Sequence, residues 1–539
     1  MTGTGASRPS TRPDQHDRPE QPGGPEQPGR PIRSVGTAGR AGRARPAVVI
    51  AAVVVFALST VLALAVLVRS AGGIRPGPAL PPAGLRVPVT SATLLCPDLN
   101  PPVGGAAGSM LTADIATAGG TVGGRPGAAG RIWLSMGSAV RDVPTGQARV
   151  RGVSVQVHGG MPLAVHASGP AAAGLSATVT VAGAPGHAPA RARCDPPRSE
   201  FWFVGPGTIT GRDPLVILTN PEIAPARVEI TLFRSAGRGT PVTDARVTDS
   251  MVTDGVSVPP MASVTRRLTD WVPDAEATAV RIRVRDGRLT AAVLDRAGAP
   301  FAPDPAVVPV AAGSGPVGSL VLAGAVGVPT GIAGAQVVVA APEADAVIRL
   351  ELLTASARFT PAGLAAVRVP GGGVLRLPAL VGAVASPEGI GTAVRVVVIS
   401  GGPVVAGLGL PVEPAGGPPA VAAAPEHLWV GAADVIEPDV AAATLLPAVP
   451  GQTLSALVLT APETAVTVWL DGNVLRIPAG RTVSVGLAGA MRMVTRGGPL
   501  VAAQTIGTTG WFSALTLSAA PRTAFAPALF QDPRVAFRR

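Results

Sequence analysis

The sequence predicts an all-β protein: a tandem array of β-sandwich repeats behind a single N-terminal transmembrane helix. Three observations predict it. One uncharged apolar run near the N-terminus is long enough to cross a membrane. The chain beyond it alternates apolar and polar residues with a period of two. The alternating segments then recur in the same order along the chain.

The run AVVIAAVVVFALSTVLALAVLV, residues 47–68, follows Arg43 and Arg45 and precedes Arg69. As an α-helix its 22 residues span about 33 Å, against about 30 Å of bilayer hydrocarbon. A cleaved signal peptide has an apolar core about half as long, and no small-x-small cleavage site is clear after Val68. The expected span is therefore an uncleaved anchor over residues 46–69. Residues 1–45 carry eight arginines and four acids, with the arginine excess next to the membrane. That bias keeps the N-terminus in the cytoplasm, so the chain beyond Arg69 is expected outside the plasma membrane. The tail itself is rich in Pro, Gly and Gln and is expected to be disordered.

The exterior contains neither Lys nor Tyr, and Ala, Val, Gly and Pro dominate it. Much of this bias matches a high-GC coding preference. The whole chain has a formal charge of +11, but a large share of it lies in the tail. With aromatic residues at 3%, there is no basic face with stacking platforms, and nucleic acid is not an expected partner. The two cysteines, Cys96 and Cys194, form an even pair in an oxidising compartment. They are expected to be joined as a disulfide.

The alternating segments include RVEITLF, VRIRVR, VIRLELL, VRVVVI and VTVWL, each bounded by turn-forming residues. LVILTNP at 215–221 is followed by RVEITLF, VSVPPMASVTRRL and VRIRVRDGRLTAAVL. VVVAAP at 337–342 is followed by VIRLELL, VRVPGGGVLRL and VRVVVISGGPVVAG. LVLTAP at 457–462 is followed by VTVWL, LRIPAGRTVSV and MRMVTRGGPLVAA. A more divergent copy is expected to open at LLCP (94–97) and close with VSVQVHGGMPLAV (153–165). Each closing element reads as a β-hairpin whose Gly supplies positive φ. The expected domains are 84–200, containing the disulfide, then 201–298, 317–411 and 426–539, the last with C-terminal strands. Six or seven strands per copy fit immunoglobulin-like sandwiches; the alternative is propeller-like closure. The Pro/Ala/Gly-rich stretches near 297–316 and 408–425 read as joints.

The N-terminal anchor, Cys96-Pro97 soon after it, Cys194 before Phe201-Trp202-Phe203, and repeats opening LTNP and closing GGPVVA resemble domain-of-unknown-function family 5719. The resemblance implies a membrane-anchored actinobacterial envelope protein associated with glycosyltransferase machinery for surface polysaccharide. It transfers no catalytic residue.

Catalytic signatures are missing from the sequence. No Gly-x-Ser-x-Gly elbow is present, and without Lys neither a P-loop nor a Ser-x-x-Lys site can form. Gly205-Pro206-Gly207 with Gly211 has the wrong spacing for a dinucleotide loop. His158 and His166 could face each other across a hairpin, yet no nearby carboxylate completes a metal site, and His187 and His427 stand apart. Asp244, Asp249, Asp254, Asp270, Asp274 and Glu276 read as a solvated face and miss the calcium-loop spacing. Among the tryptophans, Trp133, Trp202, Trp429 and Trp469 are expected in cores, with Trp469 set among strand valines. Trp271 and Trp511 are the candidate ligand-surface aromatics. No catalytic residue, cofactor or metal is expected. The function expected is non-catalytic binding or scaffolding toward an envelope protein, such as a glycosyltransferase, or cell-wall glycan. A glycan-acting enzyme and a passive spacer are the alternatives.

Overall fold

The computed structural model describes residues 57, 59–60, 86–99, 110–117, 130–143, 151–158, 162–182, 189–235, 251–298, 306–325, 335–378, 380, 392–412, 426–438, 441–444, 454–487, 491–507 and 512–525. The expected cytoplasmic tail lies outside these residues, and so does almost all of the expected span. Of the span only Ala57, Ser59 and Thr60 are described, all helical, with Thr60 Oγ1 donating to the Ala57 carbonyl at 2.9 Å. Among the described residues no helix is long and apolar enough to cross a membrane.

The body from residue 83 onward is all-β and contains four copies of one unit. Repeat 2 shows its plan. Its eight strands are Glu200–Val204, Leu215–Asn220, Ala226–Arg234, Met251–Val258, Ala262–Arg267, Thr278–Asp286, Thr290–Ala297 and Ala306–Val310. The outer sheet runs in the order first, sixth, third, fourth; the inner sheet runs fifth, second, seventh, eighth. Repeats 1, 3 and 4 have the same two orders, and repeat 3 adds a short strand, Val367–Val369. Apolar residues from both sheets of a unit share one cluster, so each copy is a sandwich with its core between the sheets.

Repeat 1 differs by one strand from the sequence reading. LLCP belongs to its first strand, Ser91–Cys96, whereas the counterpart of LVILTN is Met110–Thr117. The segment VSVQVHGGMPLAV spans the fifth and sixth strands, which lie in different sheets, so it is no hairpin. The expected joint near 297–316 holds a strand, Ala306–Val310, the eighth of repeat 2. Glu426–Gly431, expected to open the fourth domain, is instead the eighth strand of repeat 3, so the fourth sandwich begins only at Ala441–Thr444. Prolines and glycines around them hid the alternation.

The eighth strands meet at a common centre. Ala190–Cys194 of repeat 1 lies beside Ala306–Val310, and Phe512–Thr516 of repeat 4 lies beside both Glu426–Gly431 and Ala190–Cys194. Val310 pairs in parallel with Trp429, fusing two inner sheets into one of eight strands. The sandwiches thus close into a ring, sealed where Arg86–Pro88 pairs antiparallel with Thr523–Phe525.

Closure explains the sequence signature. The inner sheet is covered on one face by its own sandwich core and on the other by a neighbouring repeat. Leu215, Ile217, Ala292 and Leu294 join the core of repeat 1, while Val338, Ala340, Val374 and Val405 join that of repeat 2. Val501 and Ala503 pack with Val321, Ala323 and Leu353 of repeat 3. Every residue of Leu215–Asn220 is buried, so LVILTN reads as a continuous apolar run rather than an alternation. Each fully buried Leu or Ile contributes about 1.5–3 kcal/mol. The closing elements of repeats 2, 3 and 4 turn on Gly287, Gly401 and Gly497, at φ of 82°, 94° and 94°, but they correct the expectation of hairpins. Their sixth and seventh strands lie in different sheets, so each turn carries the chain from the outer sheet to the inner one.

In repeat 1 the disulfide forms between Cys96 and Cys194, 98 residues apart. Cys96 ends an edge strand of the outer sheet and Cys194 ends the edge strand of the inner sheet, so the bond ties the two layers together.

Candidate functional site

The chemistry-bearing side chains gather where repeats meet, chiefly around the central eighth strands. In Ala190–Cys194 the alternation sends Ala190, Ala192 and Cys194 into the core of repeat 1. Arg191 and Arg193 therefore point the other way. Arg193 donates to Asp195, to Asp434 Oδ2 at 3.1 Å and to the Thr516 carbonyl at 3.0 Å. Arg198 shares Asp434 at 3.0 Å. Burial works against the Arg193 charge, but Asp195 and Asp434 outweigh it and raise its pKa. This cluster ties repeat 1 to the chain leaving repeat 3 and to the last strand of repeat 4.

A second cluster joins repeats 2 and 3. Arg212 forms a buried ion pair with Asp295, and Trp429 Nε1 donates to Asp295 Oδ2 at 2.8 Å. Arg212 Nη2 also donates to His427 Nδ1 at 2.6 Å. That nitrogen must therefore hold a lone pair, leaving His427 neutral with its proton on Nε2. Burial raises the Asp295 carboxyl above its ordinary value and prevails over the opposing pull of Arg212 and the indole.

The indole fixes two glycines. A Cβ on Gly205 would lie 2.2 Å from a Trp429 ring carbon, and one on Gly409 would lie 2.7 Å away. Gly205 also has φ of 144°. The Gly205-Pro206-Gly207 stretch is thus a turn shaped around Trp429. Gly205→Val is expected to destabilise the fold by about 2–3 kcal/mol through overpacking. Chemical denaturation checks this, and a midpoint equal to wild type would contradict the packing.

Between repeats 3 and 4, Glu351 is contacted by Arg349 at 3.0 Å, Arg358 at 2.8 Å and Arg395 at 3.3 Å, and Arg395 continues to Glu463. Burial raises the Glu351 pKa, but Arg358 and the other arginines prevail and hold it below the ordinary value. In all three clusters the buried charges are spent on joining repeats.

The residues singled out in the sequence are not brought together. Trp271 is half-buried against the core of repeat 2, and Trp511 lies outside the described residues. Trp202 is buried, donating to Glu200 at 2.9 Å under the Arg281 guanidinium. Trp469 corrects the expectation of a core position. Val466, Val468 and Leu470 point inward, so the alternation places Trp469 half-buried on the opposite face beneath Arg496. Trp133 is half-buried on the outer sheet, stacked on His166 at 5.2 Å with Arg131 over its ring.

His158 and His166 sit on strands of different sheets and not across one hairpin. The His166 nitrogens meet Thr93 Oγ1 at 3.1 Å and Ser135 Oγ at 2.9 Å. Burial lowers its pKa below the ordinary 6.5. As pH falls, the unfolded chain takes up this proton first, so stability is full above about 6.5 and is lost as the pH drops through the folded value. His166→Gln is expected to flatten the decline in Tm between about pH 7 and about pH 5. An unchanged decline would contradict the assignment. Asp270 and Asp274 are exposed, as a solvated face requires, and His187, Asp244 and Asp249 lie outside the described residues. Among the described residues, no group of three or more His, Cys, Asp or Glu is placed to hold a metal.

Sequence reasoning missed Arg191, Arg193, Arg212 and Asp295. Their signal was a charge inside an otherwise apolar strand, as in ARARC and TAAVLDRA.

A family model described as a family of unknown function, DUF5719, matches residues 145–488. The match runs from the approach to the fifth strand of repeat 1 into repeat 4. No curated protein matches the chain.

Proposed function

We propose that this chain, which belongs to the DUF5719 family, is a non-catalytic scaffold held outside an actinobacterial plasma membrane by one N-terminal span. The apolar run at 47–68 and its arginine flanks support the anchor and its orientation, and a disulfide suits an oxidising exterior. The immunoglobulin-like repeats then present their outer sheets to a partner of the cell envelope. The partner class we favour is a protein of surface-polysaccharide assembly, such as a glycosyltransferase.

One observation carries the binding surface. In repeats 1, 3 and 4 the fourth strand is the edge of the outer sheet, and each such edge exposes an apolar side chain. These are Val140, 62% exposed, Phe359, 41%, and Val474, 58%. Proteins ordinarily guard sheet edges with charge or proline, because an open edge invites pairing by another chain. An edge with unpaired backbone groups and an apolar side chain suits addition of a partner strand.

Two assays test the reading. Protease added to intact protoplasts should digest everything beyond Arg69; a protected C-terminal part would contradict the topology. The purified full chain incubated with wall polysaccharide should release no new reducing ends. Sustained release would replace the scaffold with a glycan-acting enzyme.

A further inference from the structure

The junction that closes the ring differs in chemistry from the other three. Repeats 2, 3 and 4 each turn an apolar inner-sheet face to the preceding repeat. Repeat 1 turns a polar face toward repeat 4. By register, Ser154, Asp114, Thr178 and Arg193 form one row across it, and Gln156, Thr112, Thr180 and Arg191 form the next.

Several polar atoms on this face are buried without a partner. Arg191 is 4% exposed, and its Nη2 donates to Gln504 Oε1 of repeat 4 at 3.2 Å. Among the described residues its Nε and Nη1 have no hydrogen-bond partner, and neither has Gln504 Nε2, Thr178 Oγ1 or Thr180 Oγ1. Of these groups, Arg191 lines a cavity of about 50 Å³ where repeats 1, 2 and 4 meet, shared with Arg193 and Asp195, with Phe201 and Phe203 of repeat 2 and with Thr516 of repeat 4.

Charge decides what the cavity wants. Arg193 is already matched by Asp195 and Asp434. Among the described residues Arg191 touches no carboxylate. Asp114 acts on it only through space, and burial pushes that carboxyl up, which weakens the counter-charge. Desolvation lowers Arg191 to about 10. Water could satisfy the idle donors, yet it would leave a buried guanidinium uncompensated, which is costly. The room suits a few water-sized groups and is far too small for a sugar.

We infer that this cavity binds one small inorganic anion, of chloride's size and charge, through the unpaired donors of Arg191. The anion sits where repeats 1, 2 and 4 meet, so their packing is linked to halide in the surrounding medium.

The test follows thermal unfolding of the purified full chain in sodium gluconate and in sodium chloride at equal ionic strength. Chloride and bromide should raise Tm saturably by about 1–3 °C. The increment should vanish in Arg191→Met. Crystals grown in bromide should show an anomalous peak in contact with Arg191 Nε and Nη1, a readout that holds even if the variant does not fold. Equal Tm in gluconate and chloride, the same increment in Arg191→Met, or bromide-grown crystals without that peak would overturn the site.

Discussion

Replacing both Cys96 and Cys194 with alanine is expected to lower stability by about 4–5 kcal/mol, the chain-entropy value for so long a closed loop. The bond spans 98 residues and joins edge strands of the two sheets of repeat 1. Its loss frees the layers at the point where Arg193, next to Cys194, engages Asp195 and Asp434. Unfolding of repeat 1 should therefore separate from that of repeats 2 and 3 and come first. Calorimetry of the double variant checks this. Without reductant, thiol alkylation of the denatured wild-type chain should add no mass, and after reduction it should add two groups. Free thiols, or a double variant as stable as wild type, would remove the disulfide from the account.

Asp295→Ala is expected to cost about 3–5 kcal/mol, the range for breaking a buried ion pair by removing one partner. The change removes the buried carboxylate paired with Arg212, whose side chain is 6% exposed, and takes away the Asp295 acceptor of Trp429 Nε1. Because Trp429 is wedged against Gly205 and Gly409, the damage should appear at the junction of repeats 2 and 3 rather than inside one sandwich. The double change Arg212→Met with Asp295→Leu should recover most of the loss, since a well-packed apolar pair often equals a buried ion pair. Denaturant titration of the single and double variants measures both effects. A single variant within about 1 kcal/mol of wild type would contradict the cluster's role.

The repeat was legible because its strands carry strong local signals. Gly287, Gly401 and Gly497 mark sharp turns by a conformation few other residues adopt, and each is observed at positive φ, but the turns cross between sheets instead of closing the hairpins the sequence suggests. LVILTN and its counterparts were legible as strands, but not as strands covered on both faces, because burial by a neighbouring repeat leaves no periodic trace. The eighth strands were missed for a related reason. AVVPV is short and sits among Pro and Gly, so it reads as a joint, and EHLWVG follows such a stretch, so it reads as the opening of the next repeat, although both form the centre of the ring. The clusters could not be read at all. Arg212 finds Asp295 across 83 residues, and Arg193 finds Asp434 across 241, whereas sequence patterns report only neighbours. A buried arginine in ARARC looks the same as one on a solvated strand face. Trp469 shows the opposite error: an aromatic between valines suggests a core, yet strict alternation puts it on the other face.

The most direct test of the scaffold reading is photo-crosslinking in living cells, with a photoreactive residue placed at Val140, Phe359 or Val474. An exposed control is placed at Asp274. The account predicts one discrete adduct, shared by the edge positions and missing at Asp274, whose captured protein belongs to polysaccharide assembly. An adduct pattern identical at Asp274 and the edges, or no discrete adduct at any edge, would contradict it.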